Sequence, residues 1–135
     1  MKISAYLKFT SVFFLFSHGV AAITVSCPKE IQTNQSLKSI IKGWSVFIDG
    51  ENHLSHFTRI TFYSGPPQEN ASLAPDDKNS TGKKMIWNFN EGNIWLSCGY
   101  SNTSIQLIQK LPDKIKKCSV TYNADYSNVL AIDCI

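Results

Sequence analysis

Cys118-Ser119-Val120-Thr121-Tyr122 and, after a polar gap, Leu130-Ala131-Ile132-Asp133-Cys134 decide how the chain folds. In both runs every second residue is apolar or cysteine, the period of a strand with one buried face. Residues 123–128 between them are polar and turn-forming. A hairpin centred on Tyr126 sets Tyr122 opposite Leu130, Val120 opposite Ile132 and Cys118 opposite Cys134, all on one side. A one-residue slip would turn one of these sets outward, so the register is strongly specified. Directly opposed residues have the Cβ separation a disulfide needs, which pairs Cys118 with Cys134 and leaves Cys27 for Cys98.

Working upstream, residues 94–100 and 104–110 form a second predicted hairpin that turns at Ser101-Asn102, with Leu96 facing Leu107 and Cys98 facing Ile105. Met85 to Phe89 reads as a further strand, closed by the turn Asn90-Glu91-Gly92-Asn93. Trp44 to Ile48 and Phe57 to Tyr63 also have strand character, joined through Asp49-Gly50-Glu51-Asn52, and Pro66-Pro67 ends the second of them. Gln68 to Leu73 fits one helical turn, and Pro75 to Lys84 is polar enough for a mobile loop. Ser36 to Lys42 fits helical spacing or the continuation of a strand from Cys27. The expected fold class is therefore mainly β: a small antiparallel sheet, sandwich or barrel with two disulfides and at most one or two short helical turns.

The N-terminus sets the compartment. Lys2 and Lys8 precede an uncharged apolar run from Phe9 to Phe16, and the small pair Ala21-Ala22 follows. That order predicts a secretory signal peptide over residues 1–22, because the apolar run is well short of the roughly 20 residues that span a bilayer. A lipoprotein reading at Cys27 would leave an odd number of cysteines. Removal of the signal leaves residues 23–135 as a single disulfide-braced β-rich domain with no second long apolar run and hence no transmembrane segment. The net charge of +3 loses Lys2 and Lys8 with the signal. The near-neutral remainder excludes nucleic acid as a partner, since that requires a basic face. All four cysteines belong to the mature part, and their even count in an exported chain reads as two disulfides; no pair has zinc-site spacing.

No catalytic pattern stands out, and no cofactor or metal is expected. There is no G-x-S-x-G, and His53 and His56 lack the H-E-x-x-H arrangement. With Glu51 they could hold a metal only if that loop folded back, and a polar connection between strands is the simpler reading. The acidic residues fall mostly in predicted turns. Trp95 points away from Ile94, Leu96 and Cys98, which makes it the best single contact residue, while Trp87 goes with Met85 and Phe89 on one face. Gly65-Pro66-Pro67 and the loop from Glu51 to His56 are candidate contact loops. Asn34, Asn70, Asn79 and Asn102 each begin an N-glycosylation acceptor pattern.

Taken together, Cys27-Pro28, Ile31, Gly43-Trp44, Phe62-Tyr63-Ser64-Gly65-Pro66-Pro67, Ala71, Leu73, Pro75 and Trp87 give a recognisable pattern. It continues through Trp95-Leu96-Ser97-Cys98-Gly99-Tyr100, Thr103, Leu111-Pro112, Cys118-Ser119-Val120-Thr121-Tyr122 and Cys134. The chain resembles a family of small exported Gram-negative bacterial proteins of uncharacterised function. The resemblance implies a periplasmic destination, makes the asparagine sequons irrelevant there and transfers no catalytic residue.

The expected function is that of a periplasmic binding module, an inhibitor or immunity partner of an envelope-active enzyme. Small size, rigid disulfide-braced β-structure and the lack of a catalytic set suit a protein that presents a preorganised surface. The alternatives are a small envelope hydrolase using the histidines or carboxylates, and a structural or stress-related envelope protein.

Overall fold

The computed structural model describes residues 22–48 and 53–135. The predicted signal peptide, apart from its last residue, lies outside the described residues, as does the connection 49–52. The described residues form nine strands: β1 (Ile23–Thr24), β2 (Glu30–Thr33), β3 (His53–Ser64), β4 (Ser72–Leu73), β5 (Lys84–Asn88), β6 (Ile94–Tyr100), β7 (Gln106–Lys110), β8 (Lys117–Tyr122) and β9 (Val129–Cys134). One 3-10 turn, Pro67–Glu69, follows the prolines. The fold is mainly β, as expected, in the form of two antiparallel sheets.

The first sheet has the order β1-β9-β8-β5 and the second β2-β3-β6-β7, with β4 paired to β3. Both sheets turn their alternate apolar residues toward a shared core. Phe62 is wholly buried there, its ring 5.0 Å from that of Trp87 and 5.5 Å from that of Phe89 across the gap. Ile60, Ile94, Leu96 and Tyr100 from the second sheet meet Cys118, Val120 and Ile132 from the first. The chain crosses between sheets four times, from β1 to β2, β4 to β5, β5 to β6 and β7 to β8. Residues 89–93 carry it from β5 to β6, and the connection from β7 to β8 buries Leu111 and Ile115 as plugs in the core. The strands on either side of Asn90-Glu91-Gly92-Asn93 therefore belong to different sheets.

The C-terminal hairpin has the predicted register over most of its length, with Cys118 opposite Cys134 and Val120 opposite Ile132. Disulfides link Cys118 to Cys134 and Cys27 to Cys98. Tyr122, however, pairs with Val129 instead of Leu130, because the ladder shifts between Thr121 and Tyr122. Leu130 is the extra residue and is exposed. The bulge lets Tyr122 keep an apolar partner beside the left-handed turn at Tyr126, whose φ is 61°. In the β6–β7 hairpin the predicted register is two residues out, since Leu96 faces Gln109 and Cys98 faces Leu107. The turn is longer than expected for a local reason. Ser101 leaves β6 to exchange hydrogen bonds with His56, and Thr103 Oγ1 accepts from the amide of Ile105.

β3 also carries a bulge, between Phe57 and Arg59. Without it, strict alternation would place Phe57 on the opposite face from Ile60 and Phe62. The extra residue, Thr58, lets all three turn inward and sends Arg59 outward. The predicted strand Trp44 to Ile48 does not form. β2 pairs residues 30–33 with 53–56 and so occupies the edge of β3 that such a hairpin would need. Pro75 to Lys84 is not a loose polar loop either, because the Asp76 carboxylate accepts from the Lys78 amide and from Asn79 and Asn88 side chains. Those bonds, led by Asn79, hold the Asp76 carboxyl below its ordinary value.

The two disulfides close loops of different length, 71 and 16 residues apart in sequence. Chain entropy then favours the longer bridge, at about 4.4 against about 3 kcal/mol. In urea unfolding, replacing Cys27 and Cys98 together by Ala is expected to cost more stability than replacing Cys118 and Cys134. The reverse order would contradict this account of what braces the fold.

Candidate functional site

The two histidines do not form a unit. Both lie on β3, three residues apart, so strand alternation sends them to opposite faces. His56 points outward and pairs with Glu30 at 3.3 Å, while His53 lies half-buried beside Thr33. The expected loop from Glu51 to His56 is thus strand from residue 53 onward, and its remaining residues lie outside the described part. Among the described residues no three His, Cys, Asp or Glu side chains gather as metal ligands.

Trp95 and Gly65-Pro66-Pro67, by contrast, lie together. Trp95 pairs with Tyr63 across β3 and β6, and the Gly65 amide donates to the Asn93 carbonyl at 3.0 Å. Trp95 is half-buried and donates its indole N–H to the Asn93 side chain at 3.3 Å. Gly65 has φ 104°, and a Cβ there would lie 2.7 Å from the Glu69 carboxylate. It is buried, so it shapes the turn into Pro66-Pro67 and offers no contact surface of its own.

The outer face of the second sheet is the surface that this geometry builds. With Ile60, Phe62, Ile94, Leu96 and Cys98 turned inward, the alternate residues Arg59, Thr61, Tyr63, Trp95 and Ser97 line the other side. The β6–β7 register adds Gln106, Ile108 and Lys110. β7 is the edge strand, exposed along its whole length. At the far end of this face, Lys110 is paired with Asp113 at 3.2 Å. That contact, with the Asn93 amide, holds the Asp113 carboxyl below its ordinary value.

A second feature was hidden in the sequence. Residues 34–48 form an arm without helix or strand, reversed by a turn in which the Trp44 amide donates to the Ile41 carbonyl. Its apolar side chains face solvent: Ile40 is 100%, Phe47 86% and Trp44 81% exposed. Leu37, Val46, Phe47 and Ile48 with Gln35 and His53 line an open concavity of about 400 Å³. The arm is rooted beside the β6–β7 turn, where Gln35 donates to the Asn102 carbonyl. The alternating apolar residues here read as ordinary strand or helix because no pattern in a sequence marks a segment as unpaired. Such a run of exposed large side chains is the mark of an interaction surface.

A family described as "Type VI secretion system Tli immunity protein" matches residues 50–135, the span from β3 to β9. The chain is also similar to the "Uncharacterized 16.3 kDa protein in trpG 5'region" of Azospirillum brasilense, at 28% identity over 112 residues, 75% of this chain and 73% of that protein. No solved structure matches the chain.

If the arm contributes nothing to the packed body, Trp44→Ser and Phe47→Ser should change unfolding free energy by less than about 0.5 kcal/mol. Trp87→Ala, at a 5% exposed core position, should cost about 3–5 kcal/mol. A loss above about 1 kcal/mol for Trp44→Ser would mean that the arm packs on the body.

Proposed function

Because the chain belongs to the type VI secretion system Tli immunity protein family, we propose that it protects the cell in the periplasm by binding an effector there and masking the surface through which that effector acts. The observation that carries the reading is the family match over residues 50–135, which takes in seven of the nine strands and part of each sheet. The immunity role answers what the sequence resemblance left without a function. An envelope hydrolase is not favoured, since among the described residues neither histidine meets a carboxylate in a cleft; His56 pairs with Glu30 on an open face.

Two considerations support the periplasm. Disulfides persist in oxidising compartments, and the two here brace the chain at both ends of the described body. The N-terminal residues 1–22 have the order of a signal peptide. Such a protein inhibits by presenting a rigid surface, because ordering entropy has been spent in folding and is not charged again on binding. Trp95 on the sheet face, flanked by Pro66-Pro67, and the apolar arm at the opposite end are the contact elements in this reading. Burial of Gly65 restricts its part to holding that turn.

The effector is to be isolated on the oxidised mature chain from envelope extract and identified by mass spectrometry. Its export to the periplasm of a sensitive host should then be toxic, and co-production of the full chain should restore growth. A chain lacking residues 1–22 should not protect. Equal protection without residues 1–22 would contradict the periplasmic site, and binding without any protection would contradict the immunity role.

A further inference from the structure

Arg59 is the only arginine among thirteen lysines and arginines in the chain. It stands on the outer face of β3, directly opposite Gly99 of β6. A Cβ on Gly99 would lie 2.6 Å from Arg59 Cγ, 2.7 Å from Nε and 3.0 Å from Cζ. The arginine side chain therefore lies flat along the sheet, in the space that any side chain at residue 99 would fill. The β3 bulge is what turns Arg59 to this face at all. Glycine opposite, bulge beside it and arginine across together lay the arginine side chain along the sheet over residue 99.

Among the described residues that charge has no ion-pair partner. The ion pairs among the described residues are His56 with Glu30 and Lys110 with Asp113, and Arg59 belongs to neither. Lys110, the other cation of the face, already has its carboxylate. Among the described residues Arg59 thus stands outside any ion pair, on a surface that also offers Tyr63, Trp95 and Ile108. Tryptophan, tyrosine and arginine are the residue types that dominate binding energy at protein interfaces. A guanidinium presents a planar fork that takes a carboxylate through two parallel hydrogen bonds, which an ammonium cannot do. Held flat beforehand, it loses less side-chain freedom when the carboxylate arrives.

We propose that the outer face of the second sheet is the effector-docking surface, and that Arg59, held flat over Gly99, receives an Asp or Glu carboxylate of the effector. Tyr63, Trp95 and Ile108 take the apolar contacts around that pair. The proposal rests on the immunity reading and adds to it the place of contact and the partner's chemistry.

The test is calorimetric binding of the isolated effector to the oxidised mature chain and its variants, with thermal melts of each. Arg59→Lys keeps the charge but loses the fork, and it should weaken binding at least tenfold with an unchanged melt. Gly99→Ala should weaken it comparably by lifting Arg59 from the sheet, since residue 99 lies in regular strand and the clash is with a flexible side chain. Lys78→Ala, remote from this face, should bind as wild type. Removing one particular effector Asp or Glu should weaken binding to the wild-type chain at least tenfold and to Arg59→Lys by a smaller factor, which identifies the carboxylate. Wild-type binding with Arg59→Lys and Gly99→Ala both within twofold overturns the proposal and leaves the immunity role standing. A wild-type chain that self-associates through Arg59 also overturns it, by giving the face to a second copy. Failure of the wild-type chain to bind any effector removes the immunity reading, and this proposal with it.

Discussion

Phe62 loses all contact with solvent between Trp87 and Phe89, and the rest of the molecule follows from keeping it there. Full burial of such a side chain stabilises by about 1.5–3 kcal/mol relative to exposure, before packing is counted. It sits on β3, which pairs with β2 and β4 along one edge and β6 along the other, so its inward direction sets the parity of the whole second sheet. Leu96 lies opposite it on β6 and shares that burial. Once Phe62 and Leu96 face inward, Tyr63 and Trp95 have to face outward. The surface available to a partner is thus a consequence of the core.

The N-terminal segment is tied to the same core by covalent and polar links. Cys27 is bonded to Cys98, and the adjoining Pro28 carbonyl accepts from the buried Tyr100 hydroxyl at 3.0 Å. Burial pushes the Tyr100 phenol upward, so it stays protonated as a donor. These links bring β2 alongside β3 and anchor the root of the apolar arm, which leaves the sheet immediately after Thr33. The body matched to the immunity family begins at residue 50, after the arm. A rigid two-sheet body with an unpaired apolar segment at one end suits a protein whose task is to hold another.

Much of this was legible in the sequence where two constraints coincided. In the C-terminal hairpin, period-two alternation and the Cys118–Cys134 alignment specify the same register, and the structure follows it up to the bulge at Leu130. The same parity puts Trp87 and Phe89 on one face, and both are buried. At two places where a single signal stands alone, it misleads. The turn of the β6–β7 hairpin depends on Ser101 bonding to His56, forty-five residues away in sequence, and no local pattern carries that contact. Trp44 to Ile48 alternates like a strand, yet a strand exists only when a ladder accepts it. Arg59 and Gly99 do not read as a pair in the sequence, because only the β3 bulge and the antiparallel register set one across the other. Parity alone turns Trp95 outward, and that direction is the part of the candidate site legible in the sequence.

The central claim is that the effector meets the outer face of the second sheet and the arm rooted beside it. Hydrogen–deuterium exchange of the oxidised chain, free and bound to its effector, tests this most directly. Residues 37–48 and the exposed edge strand Gln106–Lys110 should exchange more slowly in the complex, while β5, β8 and β9 of the first sheet stay unchanged. Slowed exchange confined to the first sheet would contradict the account and move the interface to the opposite side of the molecule.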